Sequence, residues 1–330
     1  MSKYPRSRMW LAVTIIIGFL LTMFFSNVSM PIVLRVVIAS IASQVIIKKI
    51  VSGTSLPIGV SFPSAYFFGF LIALSYFLMA GDHLQFTALA VIIGMGIFNG
   101  FASWCNWEAT RISQSMRSVF MFGDDVIAMG LCFMILREDQ FMSLWVWIGS
   151  SISLTAIFML ARRSYLSAKK NLAVKGKKEI KNLPVTFFVY VLAVSLIWGI
   201  VKFAERYLAL EGVSVGTFLL GWYGGALLPA IIIFKFHPSR INVEYSWLEA
   251  GKYGLVFALT AATAIGLQFW TYMVTPLVIV QPIFMVSDMV FSALIGLIFF
   301  KEARSYSRTE WFYFGLGLVG SLFIILSFYK

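Results

Sequence analysis

Cysteine and histidine are almost missing from this 330-residue chain, which has two of each. Cys105 and Cys132 sit inside apolar runs and form no CxxC pair, so they read as packing thiols and not as a disulfide framework. His83 and His237 lie near loops, at no ligand spacing with cysteine or carboxylate, so no metal centre and no cofactor is expected. No GxxxxGK[ST] loop is present, which argues against ATP-driven work by this chain alone. Charge is scarce too. Only 12% of residues are charged, against about 25% in a soluble domain. The largest stretch outside the apolar runs is 162–183, so no soluble domain hangs from the chain.

What fills the sequence instead is apolar: 60% of residues are hydrophobic. A water-soluble fold has no interior large enough to hide that surface, so lipid must be the solvent for most of it. A polytopic membrane protein follows, with the bilayer as its first partner. A secreted disulfide scaffold, a disordered chain and a cytosolic enzyme are excluded. The net charge of +12 gathers in short connections between apolar runs. There it sets membrane orientation and meets anionic headgroups. With no basic domain outside the membrane, nucleic acid is not an expected partner.

A spanning helix needs about twenty largely apolar residues. Candidates fall near 9–27, 31–50, 63–80, 85–108, 114–136, 142–160, 184–203, 214–236, 250–273, 279–300 and 309–329. Runs such as 12–25 and 219–234 do not alternate, so a membrane barrel is excluded and the expected fold is all-α. The first run follows Lys3, Arg6 and Arg8, as a signal peptide would. It is longer than a normal signal core, though, and 26–29 is a poor cleavage site, so a retained helix is expected. A cytoplasmic N-terminus puts Lys48, Lys49, Arg111, Arg117, the basic stretch 162–181, Lys235, Arg240, Lys301, Arg304 and Arg308 all inside. Eleven spans in the cell membrane, inner or plasma, satisfy this rule; ten, made by merging the first two, put the N-terminal cluster outside.

The chain also resembles itself. Residues 119–124 (VFMFGD) lie over 283–288 (IFMVSD) without a gap, and Arg137-Glu138 over Lys301-Glu302 at the same offset. After a two-residue slip, Trp145 and Gly149 fall on Trp311 and Gly315. The expected organisation is an extra helix at 1–30, a five-helix unit at 31–161, a basic cytoplasmic linker at 162–183 and a second five-helix unit at 184–330. Five is odd, so successive units enter the membrane in opposite directions. That is the inverted-repeat design of many secondary transporters, whose site lies near the midplane between the halves. Chance likeness between apolar helices is the alternative.

The boundary acids (Leu136-Arg137-Glu138, Phe300-Lys301-Glu302) and the aromatic, glycine-bearing helices after them (Trp147-Ile148-Gly149, Tyr313-Phe314-Gly315) resemble the drug/metabolite transporter superfamily, EamA-like branch. Ile197-Trp198-Gly199 with Lys202 is similar to the opening helix of that family's repeat. The resemblance covers nearly all of the chain after residue 30. It implies two inverted repeats, usually ten helices in all, that carry small organic solutes, often outward. This chain departs from the pattern in its extra N-terminal helix and in the aspartates of each unit's fourth helix.

Asp124 and Asp288 lie near the middle of their spans, where a carboxylate costs at least about 2.5 kcal/mol and normally faces a cavity or a partner. They are the candidates for coupling, flanking a central cavity where at least one binds and releases a proton or another cation. A structural acid linking helices is the plainer reading. Asp125 is turned about 100° from Asp124, so the two cannot both face one cavity squarely, and Asp125 is free to pair with a base on a neighbouring helix. Arg35 either snorkels to the headgroups or turns inward as counter-ion to an acid or an anionic substrate. Lys202, Glu205 and Arg206 share a helix end; Lys202 and Glu205 are gating candidates, against ordinary interfacial pairing. Glu138 and Glu302 read as caps or loop anchors. Asn106, Glu108, Gln268 and Trp270 are candidates to line a pathway, Asn106 and Gln268 the better ones because amides in lipid require partners. Gly96-x-x-x-Gly100 and Gly221-x-x-x-Gly225 offer small faces for close helix packing.

The expected function is secondary transport, by alternating access, of a small metabolite or drug-like compound, with proton or solute coupling and export as the family habit. A membrane-embedded enzyme or a flippase acting on a lipid-linked substrate is the alternative. Short loops and two histidines weigh against the enzyme. Substrate and oligomeric state are not legible in the sequence.

Overall fold

A computed structural model of the chain describes residues 30–43, 46, 56–112, 122–174, 185–237, 245–299 and 308–326. The span expected at 9–27, the start of the one expected at 114–136, and Glu302 lie outside these residues. Among the described residues there are helices and no strands. In chain order they are α1 (Met30–Arg35, running on into a π-helical stretch, Val36–Ser43), α2 (Ile58–Ala80), α3 (Phe86–Ile112), α4 (Phe122–Ile135) and α5 (Leu144–Val174). After them come α6 (Val185–Leu210), α7 (Val215–Phe236), α8 (Trp247–Val274), α9 (Leu277–Phe299) and α10 (Arg308–Leu326). α5 runs well past the expected end at 160, so the first part of the basic stretch 162–183 is helix.

Local chemistry fixes several ends. The Ser214 hydroxyl accepts from the Thr217 N–H and that of Ser246 from the Glu249 N–H, each capping the helix that follows. Gly81 ends α2 with φ +66°, a left-handed conformation that costs glycine little. Pro63, Pro229 and Pro282 lie inside helices, as membrane helices tolerate better than soluble ones.

Among the described residues, five helices, α2, α3, α6, α7 and α8, contain segments long and apolar enough to cross a membrane. The distribution of side chains is the reverse of a soluble protein's. Leu78, Met79, Phe86, Met134, Leu144 and Leu248 are among the exposed residues, while Asp124, Glu138, Glu205 and Arg206 are buried. Charges inside and large apolar side chains outside are stable together only when lipid surrounds the bundle. The protein is an α-helical membrane protein.

The helices pack in a regular pattern. α2 lies on α7, α4 on α9 and α5 on α10. α3 lies on α7 as α8 lies on α2; α6 lies on α3 and α4 as α1 with its π-helical stretch lies on α8 and α9. Exchanging every helix with the one five places along maps these contacts onto one another, whereas the packing of α6 on α8 and of α9 on α10 has no counterpart of similar extent among the described residues. Directions can be read from the touching residues. Gly69 meets Tyr223 while Phe77 meets Gly216, so α2 and α7 run in opposite senses. Trp145 stacks on Phe323 and Ser153 meets Gly320, so α5 and α10 do too. Gly96 meets Trp222 and Gly100 meets Pro229, so α3 and α7 run the same way. In the same manner Gly123 meets Ser195 and Ile127 meets Gly199, which makes α4 and α6 parallel.

The two GxxxG faces are used where α3 and α7 touch. A Cβ on Gly225 would strike the Ile93 carbonyl and the Gly96 Cα, both backbone and unable to turn away. Gly225→Ala is expected to cost about 1–3 kcal/mol through overpacking, read as a lower unfolding temperature in detergent. Gly224→Ala, whose new methyl meets only the Phe70 ring at ordinary contact, 3.7 Å, is expected to melt with the parent.

Candidate functional site

Among the described residues, most of the buried charge lies between α1–α5 and α6–α10. Arg35 leaves the last turn of α1 and reaches α9, where its guanidinium donates to both carboxylate oxygens of Asp288 at 3.0 and 3.1 Å. The group lies over the Phe284 ring, 4.1 Å from its centre, and one nitrogen donates to Gln268 Oε1 of α8 at 3.3 Å. Gln268 passes the connection on, its Nε2 donating to Glu205 of α6 at 2.9 Å. A planar fork on two oxygens, with an aromatic face beneath it, is the strongest geometry an arginine has. The inward reading of Arg35 is therefore the one observed. Here it is counter-ion to an acid, and its side chain does not snorkel.

A second pair crosses the seam the other way. Lys202 of α6 donates to Asp124 Oδ2 of α4 at 2.7 Å and also bonds Asp125 Oδ1. The 100° between consecutive helical residues thus does not separate the two aspartates, because one long ammonium side chain reaches between them. Asp125 Oδ1 accepts as well from Gln281 Nε2 of α9 at 2.5 Å, and Gln281 Oε1 accepts from the Tyr272 hydroxyl of α8 at 2.7 Å.

A third pair closes the end of this layer. Arg206 donates to Glu138 Oε1 at 2.5 Å and bonds the Tyr272 carbonyl. The other oxygen of Glu138 accepts the Val278 N–H at 3.1 Å, in the first turn of α9. Glu138 does act as a cap, as its boundary position implied, but from a buried site. Arg137 before it takes a left-handed φ of 55° and turns the chain into the short 3₁₀ segment Glu138–Phe141.

Six of the residues picked from sequence therefore fall in two bonded groups: Asp288, Arg35, Gln268 and Glu205 in one, Lys202 and Asp124 in the other. Lys202, Glu205 and Arg206 each bond to another helix across the interior and not to one another. Glu108 stands elsewhere, at the end of α3 with His237 Nε2 3.1 Å from its Oε1, and Asn106 is buried on the same helix. Trp270 is 45% exposed and makes no bond to either group, two helical residues and about 200° of turn from the inward-facing Gln268. Gln281 was missed, although the rule that picks Gln268, that an amide among apolar residues needs a partner, applies to it equally. Tyr272 of α8 is its partner.

No protein-family model matches the chain, and no curated protein matches it. A solved crystal structure is similar to it in fold, with a TM-score of 0.62 at 15% identity over 89% of this chain and 98% of that one.

Proposed function

We propose that the protein is a secondary carrier of a small organic metabolite or drug-like compound, working by alternating access and not as an enzyme. In this reading α1–α5 and α6–α10 are inverted copies of one five-helix unit with a further span in front, eleven in all. It includes membership of the drug/metabolite transporter superfamily, EamA-like branch, on the boundary and helix motifs already quoted, with export as the direction. It places the protein in the cell membrane with its N-terminus in the cytoplasm.

The observation that carries the reading is the crossing of the ion pairs. The first helix of each half supplies a base, Arg35 or Lys202, and the fourth helix of the opposite half supplies the acid, Asp288 or Asp124. Helices that pair with their own counterparts run in opposite senses, as inversion requires. Charge deep among apolar helices is costly and normally marks a pathway or a coupling relay. Placed on the seam, it gives two units that move against each other a set of bonds to exchange.

The test is counterflow: proteoliposomes loaded with a solute found by comparing metabolites exported from cells with and without the protein. Labelled solute is expected to accumulate against unlabelled solute inside and to be recovered unchanged. Recovery of a chemically altered product instead would show an enzyme.

A further inference from the structure

The two crossed pairs are built from the same parts in different proportion. Arg35 meets one carboxyl and grips both of its oxygens, whereas Lys202 is one ammonium shared by two. Where the first half has Asp124-Asp125, the matched stretch of the second half reads Asp288-Met289. Asp125 is thus an acid with no counterpart in the repeat. Lys202 is a single ammonium for two carboxyls whose side chains are only 2% and 10% exposed. An uncompensated carboxylate away from water is strongly disfavoured, so this pair of acids is one that binds a hydrogen ion. A second observation points the same way: Asp124 Oδ1 is buried and has no hydrogen-bond partner.

The geometry points to Asp125 as the carboxyl that takes up and releases the coupling proton, with Lys202 and the free Asp124 oxygen exchanging partners as it does so. This assignment deepens the carrier reading and rests on it for its consequence. The groups facing Asp125 are Asp124 on its own helix, Lys202 from α6, Asp288 and Gln281 from α9, and Tyr272 from α8. While ionised, Asp125 holds Lys202 and Gln281 together on one oxygen and so ties α4 to both α6 and α9. A proton from water converts the carboxylate to a neutral acid. Lys202 then stays with Asp124, the tie to Gln281 weakens, and the new O–H is a donor beside the unpartnered Asp124 oxygen. The Arg35–Asp288 fork, which grips both carboxylate oxygens, stays closed. Proton binding thereby loosens α4 from α9 while α4 and α6 stay joined.

Purified protein in detergent, with no solute present, is stepped between alkaline and acid pH. Proton uptake is counted with an indicator dye, and the carboxylic acid C=O stretch is followed by infrared difference spectroscopy. The parent is expected to take up a proton and show the band. Asp125→Asn is expected to take up one proton fewer per chain and to lose one component of the band, and Glu205→Gln to keep that component. If the asparagine variant does not fold, Asp125→Glu replaces it, and a displaced band is expected. A band unchanged in either Asp125 variant, or lost only in Glu205→Gln, overturns the assignment. Because the readout is proton binding alone, a failure of counterflow refutes the carrier and leaves this result standing, and the reverse also holds.

Discussion

Lys202→Met is expected to lower the stability of the folded protein by about 3–5 kcal/mol, the usual cost of leaving a buried charge without its partner, and to stop solute movement in counterflow. Methionine keeps an unbranched chain and fills most of the same space, so the loss reports the missing ammonium and not a hole. What remains is two neighbouring carboxyls, with only 2% of the Asp124 side chain and 10% of the Asp125 side chain exposed and no cation between them. Adding Asp124→Asn and Asp125→Asn is expected to return the unfolding temperature most of the way to the parent's, because neutral amides need no counter-charge, while transport stays absent. A Lys202→Met protein that melts with the parent would mean that the ammonium supports nothing.

Arg206→Ala is expected to cost a similar amount, again about 3–5 kcal/mol. Its partner is fully enclosed, with 1% of the Glu138 side chain exposed. Removing the guanidinium also leaves the Tyr272 carbonyl without that donor. Glu138→Gln breaks the same pair from the other side and leaves the Arg206 guanidinium buried without its counter-charge, so a similar loss is expected even though a glutamine oxygen can still accept the Val278 N–H and cap α9. Melting temperatures in detergent check this, both variants falling well below the parent. A Glu138→Gln protein that melts with the parent would show that the cap alone matters and the charge pair contributes nothing.

Much of this arrangement is legible in the amino-acid order, and the part that is not has a physical reason. Lipid as the solvent, helices as the only element and the matched aspartates all follow from apolar runs and the rarity of charge within them. So does the need of Gln268 for a partner. Partners themselves are another matter. Arg35 is 253 residues from Asp288 and Lys202 is 78 from Asp124, so no local spacing records either bond. Arg35 near the start of a helix fits snorkelling and inward pairing equally well until α9 is seen beside it. For Trp270, interfacial and inward aromatics have the same composition, and only the helix phase, set by packing, separates them. The shared grip of Lys202 on both aspartates escapes an argument from helical angles, which ignores the reach of a four-carbon side chain.

The crossing of the two bonds has a consequence for biosynthesis. A ribosome delivers Arg35 to the bilayer long before it makes Asp288, and Asp124 before Lys202, so the N-terminal half enters the lipid holding charges that nothing yet answers. Chains cut short before α6 keep them unanswered and present themselves to membrane quality control as unfinished. Supplying the C-terminal half as a separate polypeptide answers both at once, which makes survival of the first fragment a direct report on assembly.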